Sequence, residues 1–230
     1  MTEPANLISL ADLGAALAAL SALSAASFGL LDSTKAFNGG ASNIGKGHIR
    51  KALLPFAAPL SSALGADGWW PVLNANWISG VAKADQKAKD QALIKLGLSS
   101  ANAAAVAAAA HVDPAALTAA VGRLENGTPS TDKDLNVLGR MSATVDVILD
   151  AAFERADQQY RNSCRVLAGA IAIGLAVAAW ALWPKDMDAR PTLAGAIVVG
   201  LLAVPLAPVA KDVTGALSAA MNALKAARRL

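Results

Sequence analysis

The run Gly40-Ala-Ser-Asn-Ile-Gly45-Lys46-Gly47 has the spacing G-x-x-x-x-G-K, in which backbone N–H groups and a lysine cradle nucleotide phosphates. The residue after the lysine should be Ser or Thr to hold Mg²⁺, and here it is Gly. No strand pattern leads into the run, so nucleotide binding is disfavoured. A sharp turn with Lys46 near lipid phosphates fits better, and Arg50 and Lys51 extend its positive charge. His48 and His111 are the two histidines, on segments of different type with no acidic cluster at ligand spacing, so no metal site is expected. Cys164 is the single cysteine, which rules out an internal disulfide. It reads as a buried thiol. There is no G-x-S-x-G, no H-E-x-x-H and no carboxylate pair set in an apolar pattern. The expectation is a protein that is not an enzyme and uses no cofactor. Asp12 is the sole charge within residues 6–31. It reads either as snorkelling at the outer end of a span or as an acidic ring at the mouth of an oligomeric pore.

These residues hang on apolar helices. The governing stretch runs from Thr131 to Trp183 without a proline. It opens with Ser130-Thr131-Asp132-Lys133-Asp134, an N-cap cluster with acids in the first turn. Leu135, Leu138, Met141, Val145, Leu149, Ala152, Ala156 and Tyr160 recur at threes and fours, while Val166 to Trp183 is apolar all round. A helix of that length reaches on the order of 80 Å, against about 30 Å of hydrocarbon. The spacing therefore predicts one helix that starts in a soluble domain and ends across a bilayer. Asn6–Leu31 is a second candidate span, with Gly14, Ala18, Ser21 and Ala25 forming a narrow small-residue face suited to close helix contact. Thr192–Ala210 is a third. Ala170, Gly174 and Ala178 on the second span, and Ala196 and Gly200 on the third, offer further small faces.

Between the first two spans the pattern is helical and mostly short. Asp32–Lys51 is rich in Gly and Asn and reads as a loop or broken helix. Leu53–Leu64, interrupted by Pro55 and Pro59, is too short to span and suits a core helix or an interfacial segment. Trp69, Trp70 and Trp77 fit a headgroup layer or a small core equally. Lys83–Leu93 reads as a solvent-facing helix. Ser99 and Ser100 are candidate caps for Ala101–Ala110, Asp113-Pro114 opens the next helix, and Asn126-Gly127 closes it. Lys211–Leu230 is an amphipathic tail.

Of the 230 residues, 55% are hydrophobic and 16% charged, with a net charge of +3; the mean hydropathy is +0.43. That charge is too mild to suggest nucleic-acid binding. The start of the chain lacks a positive n-region, so the first apolar run is expected to be retained. Lys35, Lys46, Arg50 and Lys51 follow the first span, Arg155, Arg161 and Arg165 precede the second, and Lys211 follows the third. The positive-inside rule then puts the N-terminus outside, residues 32–165 inside, the short loop near residue 187 outside and the tail inside.

Phe153-Glu-Arg-Ala-Asp-Gln-Gln-Tyr160-Arg161-Asn-Ser-Cys-Arg165, leading into a span, resembles the corresponding segment of uncharacterised bacterial multi-span membrane proteins with a helical cytoplasmic region. Asn162 stands where those carry a basic residue. The resemblance covers about a tenth of the chain and implies topology and a bacterial inner-membrane setting, with no activity attached. The expectation is an all-α integral membrane protein: a transmembrane helix in residues 1–31, a cytoplasmic helical domain in 32–165, a transmembrane hairpin in 166–210 and an amphipathic helix in 211–230. Its expected function is a homo-oligomeric assembly that forms or gates a pore, with Asp12, Gly14, Ala18, Ser21 and Ala25 at the pore or subunit seam. Lys46, Arg50, Lys51, Arg161 and Arg165 would meet lipid headgroups. The alternative is a non-conducting scaffold that recruits a cytoplasmic protein partner. Lipid is the expected surrounding and nucleic acid is not an expected partner.

Overall fold

The structure, a computed structural model, describes residues 10–66, 68–184 and 191–206. Every regular element among them is helical. The order is α1 (Leu10–Ser33), two 3-10 turns (Thr34–Ala36 and Gly40–Asn43), α2 (Lys46–Leu53), a 3-10 turn (Leu54–Phe56), α3 (Ala57–Leu64), α4 (Trp69–Ile78), α5 (Lys83–Leu96), α6 (Ala103–Ala109), α7 (Pro114–Glu125) and α8 (Asp132–Leu182). A last helix, α9, covers Leu193–Leu206. The amphipathic tail, Pro208, Lys211, most of the loop after Pro184 and the side chain of Asp12 lie outside the described residues.

The chain forms two units: a terminal unit of Met1–Ala41 with Asn162–Leu230, and a central unit of Ser42–Arg161. α8, with 51 residues, contributes to both. Its start is fixed by a reciprocal cap. Thr131 donates its backbone N–H to Asp134 Oδ2 at 2.8 Å, and Thr131 Oγ1 accepts from the Asp134 N–H at 3.3 Å. No proline interrupts it before Pro184, and the apolar stripe of its first half keeps helical spacing throughout.

That stripe is the spine of the central unit. Val137, Met141, Val145, Leu149, Phe153 and Ala156 are buried against Leu53, Phe56, Leu60, Ile94, Val106 and Leu117. The stripe differs from the expectation in its first turn, where Leu135 is 59% exposed. Asp134 takes the inward position instead, so the apolar face begins at Val137. Leu53–Leu64 is core: the Pro residues sit at helix starts, and Leu53, Phe56 and Leu60 are fully buried. The tryptophans belong to a small core as well. Trp69 is buried, and the Trp77 indole N–H donates to the Ser42 carbonyl at 2.8 Å.

Two local expectations need correction. α5 is not simply a solvated helix, because Gln86, Asp90 and Ile94, four residues apart, are buried. α6 is not capped by Ser99 or Ser100. Asn102 organises that turn, accepting from the Ser99 N–H at 2.9 Å and donating to the Gly97 carbonyl at 2.8 Å. Asp113 does cap α7, accepting from the Ala115 N–H at 3.0 Å.

In the terminal unit, two helices are long and apolar enough to cross a membrane, α1 and the second half of α8. Among the described residues, then, two of the three expected spans reach that length. α9, the third apolar helix, has its described end at Leu206; its run from Leu193 reaches about 21 Å, against about 30 Å of hydrocarbon. α8 and α9 form an antiparallel hairpin. The Trp180 indole N–H donates to the Pro191 carbonyl at 2.9 Å. Further along, a Cβ on Gly200 would lie 2.5 Å from Ile173 Cα. Ala168, Ala172 and Ala176 on α8, and Ala196, Gly200 and Ala203 on α9, are buried. Only small side chains permit so close an approach.

Candidate functional site

Five cationic residues stood as headgroup candidates, and the fold treats them differently. Lys46 Nζ donates to Asn43 Oδ1 at 2.5 Å. The Arg50 guanidinium lies over the Trp70 ring, 5.6 Å from its centroid, a cation–π arrangement. Arg161 pairs with Asp157 at 2.8 Å, one turn earlier on α8. Lys51 is exposed on α2. Arg165 is exposed on α8 and lines a groove of the terminal unit.

The glycines of the phosphate-loop-like run serve packing. Gly45 has φ +90°, and a Cβ there would come within 2.3 Å of the Ala156 carbonyl oxygen. Gly40, at φ +42°, sits equally close against Thr34. Positive φ and close backbone approach both demand glycine. They account for the run without a bound phosphate.

The seam candidates of α1 divide by exposure. Ser24, Ser27 and Leu31 form the buried stripe, and the Ser27 hydroxyl donates back to the Leu23 carbonyl at 2.7 Å. Gly14 and Ser21 are half-buried, while Ala18 and Ala25 are exposed. On α8, Ala170, Gly174 and Ala178 are exposed as well, whereas Ala196 and Gly200 of α9 are consumed in the hairpin.

An open groove in the terminal unit has a volume of about 850 Å³. Phe28 of α1, Val166, Gly169, Ala170 and Ile173 of α8, and Leu201, Val204 and Pro205 of α9 form its walls. Arg165 is its single charged residue and makes no ion pair or hydrogen bond among the described residues. Large apolar side chains of α8 and α9 are exposed, among them Val166, Leu167, Ile197, Val198, Leu201 and Leu202. Only 11% of the most apolar stretch of α1 and 17% of that of α8 are buried.

The central unit carries polar groupings that sequence reasoning did not find. α5 and α8 are laced by ion pairs. Lys83 meets Glu154 at 2.7 Å and Asp157 at 3.0 Å, and Lys87 meets Asp146 at 3.3 Å and Asp150 at 3.1 Å. Hydrogen bonds to these carboxylates raise both lysines above their ordinary pKa. Burial pushes Asp157 up, but hydrogen bonds from Lys83 and Arg161 outweigh it and the carboxyl is lowered. The matching acid spacing on α8 was the available signal. Asp134 is buried and bridged by Arg123, whose Nε donates at 2.7 Å. The Arg123 bonds, with those from Thr131, hold this carboxyl well below the usual carboxylate range.

Asp90 is 2% exposed, and its Oδ2 has no hydrogen-bond partner. Burial pushes its carboxyl up to about 7, against the lowering effect of Lys89. Nothing in the Lys/Asp/Gln-rich run of α5 marks it from sequence. A cleft of about 430 Å³ gathers His111, Asp113, Asp132, Lys133, Asn136 and Arg140. Among the described residues no three His, Cys, Asp or Glu groups converge as metal ligands. His111 and His48 stay on separate elements, α2 carrying His48 and the α6–α7 connection carrying His111.

Comparison of the chain with family models, with curated proteins and with solved structures returns no match.

Proposed function

We propose that the protein is an integral membrane scaffold: the terminal unit is embedded in the bilayer, and the central unit is held at its inner face to recruit a protein partner. One observation carries the embedding. The same helix, α8, buries an apolar stripe from Val137 to Ala156, whereas beyond it Val166, Leu167 and Leu182 are exposed and only 17% of its most apolar stretch is buried. In water that exposed surface would cost about 25 cal/mol per Å²; in hydrocarbon it costs nothing. In this reading α1 and the second half of α8 cross the membrane, and α9 returns along α8. The positive-inside rule puts the N-terminus outside and the central unit inside, in keeping with the bacterial inner-membrane setting that the resemblance around Phe153–Arg165 implies. A reporter inserted near Met187 is then external and one fused after Leu230 internal; finding both on one side would exclude the returning helix.

The expected homo-oligomeric pore is the second reading. It is favoured by Ala18 and Ala25, exposed on the small face they share with Gly14 and Ser21, a surface fit for a second copy. Against conduction, the described lining of the hairpin groove is apolar apart from Arg165. Ion flux through liposomes containing the purified chain separates the two: the scaffold predicts flux equal to protein-free vesicles, the pore predicts flux above it.

A further inference from the structure

We infer that the groove between α1, α8 and α9 holds one anionic phospholipid, with an acyl chain along its apolar walls and the headgroup phosphate on Arg165. This rests on the membrane reading of the terminal unit. The walls contributed by Phe28, Val166, Ile173, Leu201, Val204 and Pro205 offer no hydrogen-bonding side chain, so they select an apolar occupant. The volume, about 850 Å³, falls in the range of built ligand sites, about 300–1,000 Å³. On α8 the lining residues run from Arg165 to Ile173, a length of about 12 Å at 1.5 Å per residue, enough for the upper part of a chain whose end continues into the bilayer.

Charge decides which lipid. Arg165 is the first α8 residue on the groove, at the end where the helix changes from polar to apolar, and so at headgroup depth in the membrane reading. Its neighbour one turn earlier, Arg161, is neutralised by Asp157. Arg165 has no such partner among the described residues. A guanidinium left open beside an apolar cleft is matched by a phosphate, which it can hold with two parallel hydrogen bonds. Basic pockets between spanning helices on the cytoplasmic side take anionic headgroups in this way. Gly169 keeps the groove open: an added Cβ would meet nothing within 4 Å, so a larger side chain there fills the lipid's place without disturbing the helices.

The test uses the full chain purified in mild detergent, with native mass spectrometry to count retained lipid and titration with phosphatidylglycerol or phosphatidylcholine. Retention of one phosphatidylglycerol per chain is expected, preferred over phosphatidylcholine. Arg165→Gln should weaken phosphatidylglycerol binding about fivefold, the effect of one basic contact, and bring the two lipids level. Gly169→Phe should abolish retention of both. Arg161→Gln, off the groove, should leave binding as it was. Equal retention of the two lipids by the parent, or an unchanged preference in Arg165→Gln, would overturn the lipid assignment. Resistance of the chain to alkaline extraction from membranes is measured alongside. Extraction into the soluble fraction would overturn the membrane reading itself, whereas resistance without lipid selectivity overturns the groove assignment alone.

Discussion

Asp90 should make the protein less stable as pH rises from about 4 to about 7. Its carboxyl is buried, one oxygen lacks a partner, and its pKa is pushed up to about 7 from 3.8. Below pH 3.8 both the folded and the unfolded chain hold the proton, and the group costs nothing by titration. Between 3.8 and 7 the unfolded chain releases the proton while the native state keeps it, so stability falls as pH rises; above 7 the loss is complete. A rise of about three units, at 1.36 kcal/mol each, gives a loss of about 4 kcal/mol between pH 4 and pH 8. Asp90→Asn keeps the shape and removes the titration. Whatever the amide costs is independent of pH, and the α5–α8 ion pairs are present in both proteins and cancel. Denaturant unfolding of parent and variant in mild detergent at pH 4 and pH 8 yields the double difference. The variant should gain up to about 4 kcal/mol on the parent from the acid to the alkaline condition. A parent–variant difference that stays constant between the two pH values to within about 1 kcal/mol would refute the burial argument.

Gly200→Val should separate α8 from α9, because its Cβ would lie 2.5 Å from Ile173 Cα, while Gly174→Val, where an added Cβ meets nothing within 4 Å, should be tolerated; thermal melts in detergent compare them. Leu149→Ala, at a fully buried position on the spine of the central unit, should cost about 2–5 kcal/mol in denaturant unfolding. If the exposed face of α1 joins subunits, Ala18→Leu should lower the native mass in detergent by holding the helices apart, and Ala16→Leu, off that face, should not.

The long helix was legible because its signals agree: acids and a cap at Thr131, an unbroken apolar period, and no proline before Pro184. Of the short helices, α7 was legible from its Asp113-Pro114 opening and its Asn126-Gly127 close, whereas the expected serine caps of α6 were not the residues that organise its start. What failed was the assignment of faces. Leu135 and Asp134 compete for one inward position, and the bonds from Arg123 and Thr131 let the carboxylate take it. Asp90 lies on a charged helix that packs against α3, an element about 30 residues earlier in the chain. The groove escaped sequence reasoning for the same reason. Phe28, Arg165 and Pro205 meet only once three helices are packed, and no spacing within one helix announces it. The glycines of the phosphate-loop-like run misled in the other direction, because close packing and phosphate cradling call for the same residue type.

The claim that the terminal unit lies in lipid is tested most directly by cysteine labelling along α8 and α9. In a Cys164→Ser background, single cysteines replace Val147, Ala170, Gly174, Ala178 or Val198, all of them exposed in the structure. A water-soluble maleimide is supplied to both faces of membrane vesicles. Val147→Cys should label at the rate of a free thiol, while the other four should remain unlabelled because hydrocarbon, rather than protein, covers them. Labelling of Gly174→Cys and Val198→Cys as fast as Val147→Cys would contradict the account.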